Sequence, residues 1–203
     1  SFLSREDCEY LIQAGMPKFE ESAIMTDSHA TRSTDEVRKS LTAYVDYRES
    51  PRMQHIVDRI HEAAGLPVSY GEDFQLTRYP PGGKYELHYD SSLSLGRVAT
   101  FLLYLNDVEE GGETVFPFAR TGTTQQFPFF RRNHDSKKPP ISLFCDSEEV
   151  LKFKPVAGSA LFWFNHHPDL TMDYNSLHGS CPISDRPGAG EKFIAQKWFR
   201  YYK

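Results

Sequence analysis

Tyr79-Pro80-Pro81-Gly82-Gly83-Lys84-Tyr85-Glu86-Leu87-His88-Tyr89-Asp90 reads as a tight turn followed by a short extended segment. Pro-Pro-Gly-Gly neither continues a helix nor pairs in a central strand, so the chain reverses there. Beyond the turn, side chains two apart on a strand project from one face, and His88 and Asp90 therefore point into one space. An imidazole beside a carboxylate is the larger part of a metal site. The 2-His-1-carboxylate set holds non-haem iron(II) and leaves coordination positions open on one side for a cosubstrate and dioxygen, so the missing ligand is expected to be a remote histidine.

Around this stretch the apolar segments are short and rich in aromatic and β-branched residues: 74–79, 84–89, 98–105, 114–116, 151–154, 159–164 and 193–201. Gly, Pro and Asp punctuate them, with Glu110-Gly111-Gly112 the second sharp turn. This pattern predicts an antiparallel double-sheet jelly roll, mainly β with flanking helices, rather than a parallel α/β sheet. Two helices precede it. Ser4 is placed to cap one that carries Cys8, Leu11 and Ile12 on its apolar stripe and stops at Gly15. Ser50 caps a second that starts at Pro51 and runs through Met53, Ile56, Ile60 and Ala63 to Gly65. Between them 37–45 reads as a strand with Arg38 and Ser40 on one face, Arg38 being either solvated or at the mouth of a sheet. The chain thus reads as one domain, with a helical support region over 1–70 and a jelly-roll core over 71–203. A long insertion at about 118–150 interrupts the strands. Its aromatic residues Phe127, Phe129 and Phe130 favour a lid over a plain excursion.

A chain of 203 residues with 39% hydrophobic content can bury one sizeable core. Its formal net charge of −5 argues against general affinity for nucleic acid or anionic membranes. The local cluster Arg131, Arg132, Lys137 and Lys138 reads as a solvated loop. No apolar run is long enough to span a bilayer, so no membrane segment is expected. The chain opens at Ser1 without a signal sequence, which reads as a cut or mature chain whose targeting segments have been removed. Cys8, Cys145 and Cys181 are too few for a disulfide scaffold or zinc site; a Cys145–Cys181 bridge and three buried free thiols both fit.

Of the eight histidines, His55 and His61 fall on the second helix, His29 and His134 in polar loops, and His166 and His167 in a turn after a strand. These are expected at the surface or behind the site. His178 differs, standing in Leu177-His178-Gly179-Ser180-Cys181-Pro182 among small residues that allow close backbone approach.

Segments 97–108, 111–117 and 158–165, together with Leu177 to Pro182, resemble in order the catalytic domain of prolyl 4-hydroxylases of the collagen, plant and algal type. The likeness runs over about 2–200, and the insertion with Cys145 ahead of Phe153-Lys154-Pro155 is similar to the transmembrane branch of that family. The resemblance implies a double-stranded β-helix that uses Fe(II), 2-oxoglutarate and dioxygen, with ascorbate as reductant. Peptidyl-proline would be hydroxylated at C4, and succinate and carbon dioxide released. It makes His88, Asp90 and His178 the iron ligands. It places Tyr79 and Lys192 around the far carboxylate of 2-oxoglutarate, with Lys197 the alternative to Lys192; Thr114 reads either as a further hydroxyl in that pocket or as a plain strand residue. Five residues apart on one strand, those two lysines face opposite ways, and only one is expected to point inward. Around the peptide it places Tyr85, Arg97, Glu72, Arg38 and Trp198. Trp163 and Phe162 read as core, because the run 161–164 shows no polar partner at strand spacing. A proline-containing peptide or protein is the implied partner, and the endoplasmic reticulum or secretory pathway the implied location. Two other readings stand beside this one: the same oxygenase chemistry on another residue, amino acid or small molecule, and a non-catalytic jelly-roll peptide-binding module.

Overall fold

Two helices form where their capping residues place them. In the computed structural model, which describes residues 1–25, 30–32, 37–91, 96–119 and 139–201, α1 spans Arg5–Gly15 and α2 spans Pro51–Ala64. The Ser4 hydroxyl accepts from the Asp7 amide and the Ser50 hydroxyl from the Met53 amide. Gly65 closes α2 in the left-handed region at φ 65°. Gly15 works differently from expectation. Its φ of −83° is ordinary helix, and a Cβ there would lie 2.6 Å from Leu76 Cδ1, so its bareness lets α1 press onto the sheet rather than stopping the helix.

The strands are β1 (Glu20–Glu21), β2 (Ala23–Met25), β3 (Ala30–Arg32), β4 (Leu41–Val45), β5 (Phe74–Tyr79), β6 (Tyr85–His88), β7 (Arg97–Tyr104), β8 (Thr114–Phe116), β9 (Leu151–Phe153), β10 (Ala160–Phe164), β11 (His178–Ser180) and β12 (Lys192–Arg200). A major sheet has the order β1-β4-β5-β12-β7-β10 and a minor sheet the order β6-β11-β8-β9, with β2-β3 a separate ribbon. Their pairings are antiparallel. This is the jelly roll that the punctuation predicts. Several strands depart from the reading: β4 and β1, inside the supposed support region, extend the major sheet beyond β5, β2 and β3 fall outside the segments that the pattern predicts, and β11 has no apolar run to announce it.

Alternation along the major sheet decides what each face covers. One face carries Val45, Phe74, Leu76, Leu103, Ala195 and Phe199 against Cys8 and Leu11 of α1 and Met53, Ile56, Val57 and Ile60 of α2. Each fully buried aliphatic or aromatic side chain there contributes about 1.5–3 kcal/mol. A helix cap contributes about 1 kcal/mol, so this apolar layer rather than the caps fixes the helices. The opposite face turns Tyr79, Leu102, Tyr104 and Ile194 toward the minor sheet.

Much of the expected lid lies outside the described residues, including Phe127, Phe129, Phe130, His134 and the cluster Arg131, Arg132, Lys137 and Lys138; so does His29. The following segment carries a short helix α3 (Ser142–Cys145), and Cys145 is bonded to Cys181, just after β11. Cys8 is a buried free thiol, so the bridged alternative describes the chain. His61 and His166 are buried rather than at the surface. His61 donates from Nδ1 to Leu66 O at 2.9 Å and meets the Phe199 ring edge-on. Among the described residues no helix is long and apolar enough to cross a membrane.

Candidate metal centre and cosubstrate pocket

β6 ends at His88, and Asp90 follows in a bend beyond the strand, so regular extension covers only one of the two expected positions. Their side chains still converge. β11 lies antiparallel to β6 with His178 directly opposite His88, the cross-strand placement that brings side chains into contact. His88 Nε2 is 3.7 Å from Asp90 Oδ1, and His178 Nε2 is 3.6 Å from Asp90 Oδ2. Those separations are too long for hydrogen bonds and suit three ligands facing one ion. One ligand atom from each residue lies within 4.8 Å of the others.

The backbone sets which nitrogens face inward. Nδ1 of His88 is 2.9 Å from Glu86 O and Nδ1 of His178 is 2.8 Å from Ser176 O. A carbonyl only accepts, so each Nδ1 carries the proton and each Nε2 offers a lone pair. His178 Nε2 is buried with no hydrogen-bond partner. An orphaned acceptor of that kind costs about 1–3 kcal/mol, and a cation held between the imidazoles and Asp90 supplies the missing partner. The donor set therefore fits iron(II).

A second polar group lies between the sheets. Lys192 is buried and pairs across the sheet with Tyr79, its Nζ 4.4 Å from the Tyr79 ring centroid. It donates to Gly112 O at 2.8 Å and to the Ser180 hydroxyl. Both partners are uncharged, and burial pushes the amine down to about 7 despite the pull of Glu113. Tyr104 donates to Thr114 Oγ1 at 2.7 Å, and burial raises the Tyr79 phenol to about 12. His178 and Ser180 are two residues apart on β11, about 7 Å of strand, a span on the scale of a five-carbon dicarboxylate. Gly179 between them faces the other way, where a Cβ would lie 2.6 Å from Ile141 Cδ1, so its bareness lets Ile141 pack behind β11.

Lys197 faces the other way, as the odd spacing requires, yet it too is buried, because α2 and its neighbours cover that face. Its Nζ donates to Glu72 O and lies 4.6 Å from the Tyr47 ring centroid; burial lowers it to about 8. Only Lys192 turns between the sheets; burial of Lys197 is what the spacing does not announce. Sheet alternation separates two faces, and here both are covered.

Beside His88 and Asp90, a cavity of about 90 Å³ is lined by Arg38, Tyr85, Arg97, Trp198 and Gln196. Tyr85 stacks on His88 at 3.7 Å, with the Arg38 guanidinium 4.5 Å from its ring centroid. Arg38 is buried, not solvated, and donates to Ser40 Oγ at 2.9 Å. Arg97 lies 3.7 Å over the Trp198 ring. Glu72 stands apart from this wall, its carboxylate taken by Arg97 at 2.8 and 2.9 Å and by Arg200 at 2.7 Å. Burial raises the Glu72 carboxyl, but these two guanidinium groups outweigh it and hold it below the usual range. The core reading of Phe162 and Trp163 also changes. Phe162 is 37% exposed, and Trp163 has a polar partner two residues on, donating to Asn165 Oδ1 at 3.0 Å.

Four residues around the site escaped sequence reasoning: Tyr104, Ser180, Thr100 and Asn165. Ser180 was within reach, since the period of a strand puts it on the face of His178.

Comparison with known proteins agrees with this geometry. The 2OG-Fe(II) oxygenase superfamily model matches residues 74–200. Prolyl 4-hydroxylase 13 of Arabidopsis thaliana is 37% identical over 209 residues, covering 98% of this chain and 69% of the relative. Probable prolyl 4-hydroxylase 10 of the same plant is 33% identical, covering 100% and 68%. Among solved structures, the viral collagen prolyl hydroxylase of Paramecium Bursaria Chlorella virus-1, in complex with 2OG, superposes with a TM-score of 0.59 at 25% identity, covering 97% of this chain and 91% of that one. The chain belongs to the 2OG-Fe(II) oxygenase superfamily and, within it, to the prolyl 4-hydroxylase family.

Proposed function

We propose that this protein hydroxylates peptidyl-proline to 4-hydroxyproline, consuming 2-oxoglutarate and dioxygen and releasing succinate and carbon dioxide, with ascorbate as reductant. The observation that carries the reading is one short strand: β11 presents His178 to Asp90 and His88, and Ser180 to the buried amine of Lys192.

In this reading His88, Asp90 and His178 hold iron(II), which when bound with 2-oxoglutarate supplies the oxidising chemistry. The protein's part is placement. Lys192 neutralises the far carboxylate of 2-oxoglutarate, and the Tyr79 and Thr114 hydroxyls flank it, Thr114 being set by Tyr104. Tyr85, held between His88 and Arg38, and Trp198, under Arg97, form the aromatic wall against which a proline ring would pack. Arg97, braced by Glu72, reaches the peptide backbone, while Arg38 supports Tyr85 from behind. The apolar wall between the sheets keeps bulk water from the reacting atoms. The Cys145–Cys181 bridge supports residence in an oxidising compartment such as the endoplasmic reticulum or secretory pathway.

The test is turnover with iron(II), 2-oxoglutarate and a panel of proline-containing peptides. Each accepted peptide should gain the mass of one oxygen, and succinate release should rise with it. Succinate release with no mass gain on any proline peptide would move the substrate elsewhere.

Lys192 also gives the reaction a pH signature. A far carboxylate needs the charged amine, whose folded value is about 7. Below that pH the charge is already present, and 2-oxoglutarate affinity should be flat. Above it, binding must take up a proton, so Kd should rise by up to about tenfold per pH unit. Calorimetry at pH 8 in two buffers of different ionisation enthalpy reads the uptake directly; equal enthalpies would contradict the assignment.

A further inference from the structure

Two of the three candidate ligands are oriented by backbone carbonyls two residues back in the chain, Glu86 O for His88 and Ser176 O for His178, but Asp90 lies in a bend past the end of β6. Something else must aim it. Thr100 of β7 donates to Asp90 Oδ2 at 2.7 Å, Asn165 Nδ2 donates to Thr100 Oγ1 at 3.0 Å, and Trp163 Nε1 donates to Asn165 Oδ1 at 3.0 Å.

The direction of this chain is forced from its far end. An indole N–H only donates, so the Asn165 atom facing it is the carbonyl oxygen and the amide NH2 turns to Thr100. The Thr100 oxygen then receives that bond, and its own proton goes to the carboxylate. Asn165 is clamped by its backbone as well, donating to Val98 O at 2.8 Å and accepting from the Asp173 amide at 2.9 Å. Thr100 and Asn165 are 0% and 1% exposed, so bulk water does not compete for these bonds.

We infer that Trp163, Asn165 and Thr100 are positioning residues. They form a one-directional hydrogen-bond relay that fixes the Asp90 carboxylate by its Oδ2 and turns it to the metal. The inference rests on the reading of His88, Asp90 and His178 as an iron site and adds the device that sets the one ligand the strands leave loose. Trp163 also meets the His178 ring edge-on at 4.9 Å, so the same indole touches one ligand directly and reaches a second through the relay.

The test uses the full chain, freed of metal, titrated with Co(II) in the absence of 2-oxoglutarate, and reads both affinity and the visible bands of the bound ion. Thr100→Val keeps the side-chain shape and removes the hydroxyl; Co(II) affinity should fall about 10- to 100-fold, with shifted bands. Thr100→Ser restores the donor and should return both to wild type. Trp163→Phe keeps a ring but frees the Asn165 amide to turn, giving a smaller loss in the same direction. Wild-type affinity and bands in Thr100→Val, or an equal loss in Thr100→Ser, would overturn the relay. Should Thr100→Val fail to fold, unaltered affinity and bands in Trp163→Phe would do the same. A wild-type chain that takes up no Co(II) fails the metal site itself, and the relay falls with it.

Discussion

Replacing Asp90 with alanine is expected to abolish hydroxylation and to weaken iron(II) binding by more than about a hundredfold, beyond the 10- to 100-fold typical of losing an outer partner. Both imidazoles bring no charge when they ligate, so Asp90 supplies the site's only negative charge among its three ligands. Taking it away leaves two neutral donors for a dication in a buried setting, where a bare charge is expensive. Asp90→Asn separates shape from charge. It keeps an oxygen able to accept from Thr100 but removes the anion, and it should lose nearly as much affinity as alanine. Anaerobic calorimetry with iron(II) reads binding, and peptide mass gain reads turnover. Asp90→Ala with wild-type turnover would remove the metal site from the mechanism, whatever the distances between the three side chains.

How far the sequence carried this site depends on the kind of contact. His88 and Asp90 are joined by local spacing, and strand geometry alone paired them, although Asp90 lies beyond the regular strand. His178 is joined by cross-strand pairing over 90 positions, and β11 is a three-residue His-Gly-Ser strand with no apolar signature; its small neighbours marked it out, but it took family resemblance to make it the ligand. The lysines show a second limit. Alternation separated Lys192 from Lys197, but it says nothing about what covers each face, and the α2 side of the sheet buries Lys197 as thoroughly as the minor sheet buries Lys192. The same blindness left His61 either at the surface or behind the site, whereas it is buried against Phe199 on the helix-covered face. Glu72 shows a third limit: the residue type suits a peptide backbone, yet two arginines from β7 and β12 claim it first. Composition can nominate a charge but cannot say which neighbour neutralises it.

Lys192→Met should move affinity and stability in opposite directions. A charge-assisted bond to a carboxylate contributes about 1.5–3 kcal/mol, so Kd for 2-oxoglutarate should rise about 10- to 150-fold, and KM with it. Without cosubstrate, the same substitution removes an amine that burial holds near 7 with only a carbonyl and a hydroxyl for partners, and the variant should melt above wild type. The sign with pH follows from linkage. Unfolded lysine titrates near 10.5 and folded Lys192 near 7, so between those values the unfolded chain binds more protons. Wild-type stability therefore drops as pH falls from 10.5 to 7, and methionine's advantage should be larger at pH 6 than at pH 9. Lys197→Met is the control, because Lys197 is also buried and lowered, to about 8, but on the helix-covered face. It should alter melting and leave 2-oxoglutarate affinity as it was. If Lys197→Met raised the Kd and Lys192→Met did not, the dicarboxylate would belong on the other side of the sheet, and the strand that links His178 to Ser180 would lose its meaning as the floor of one continuous site.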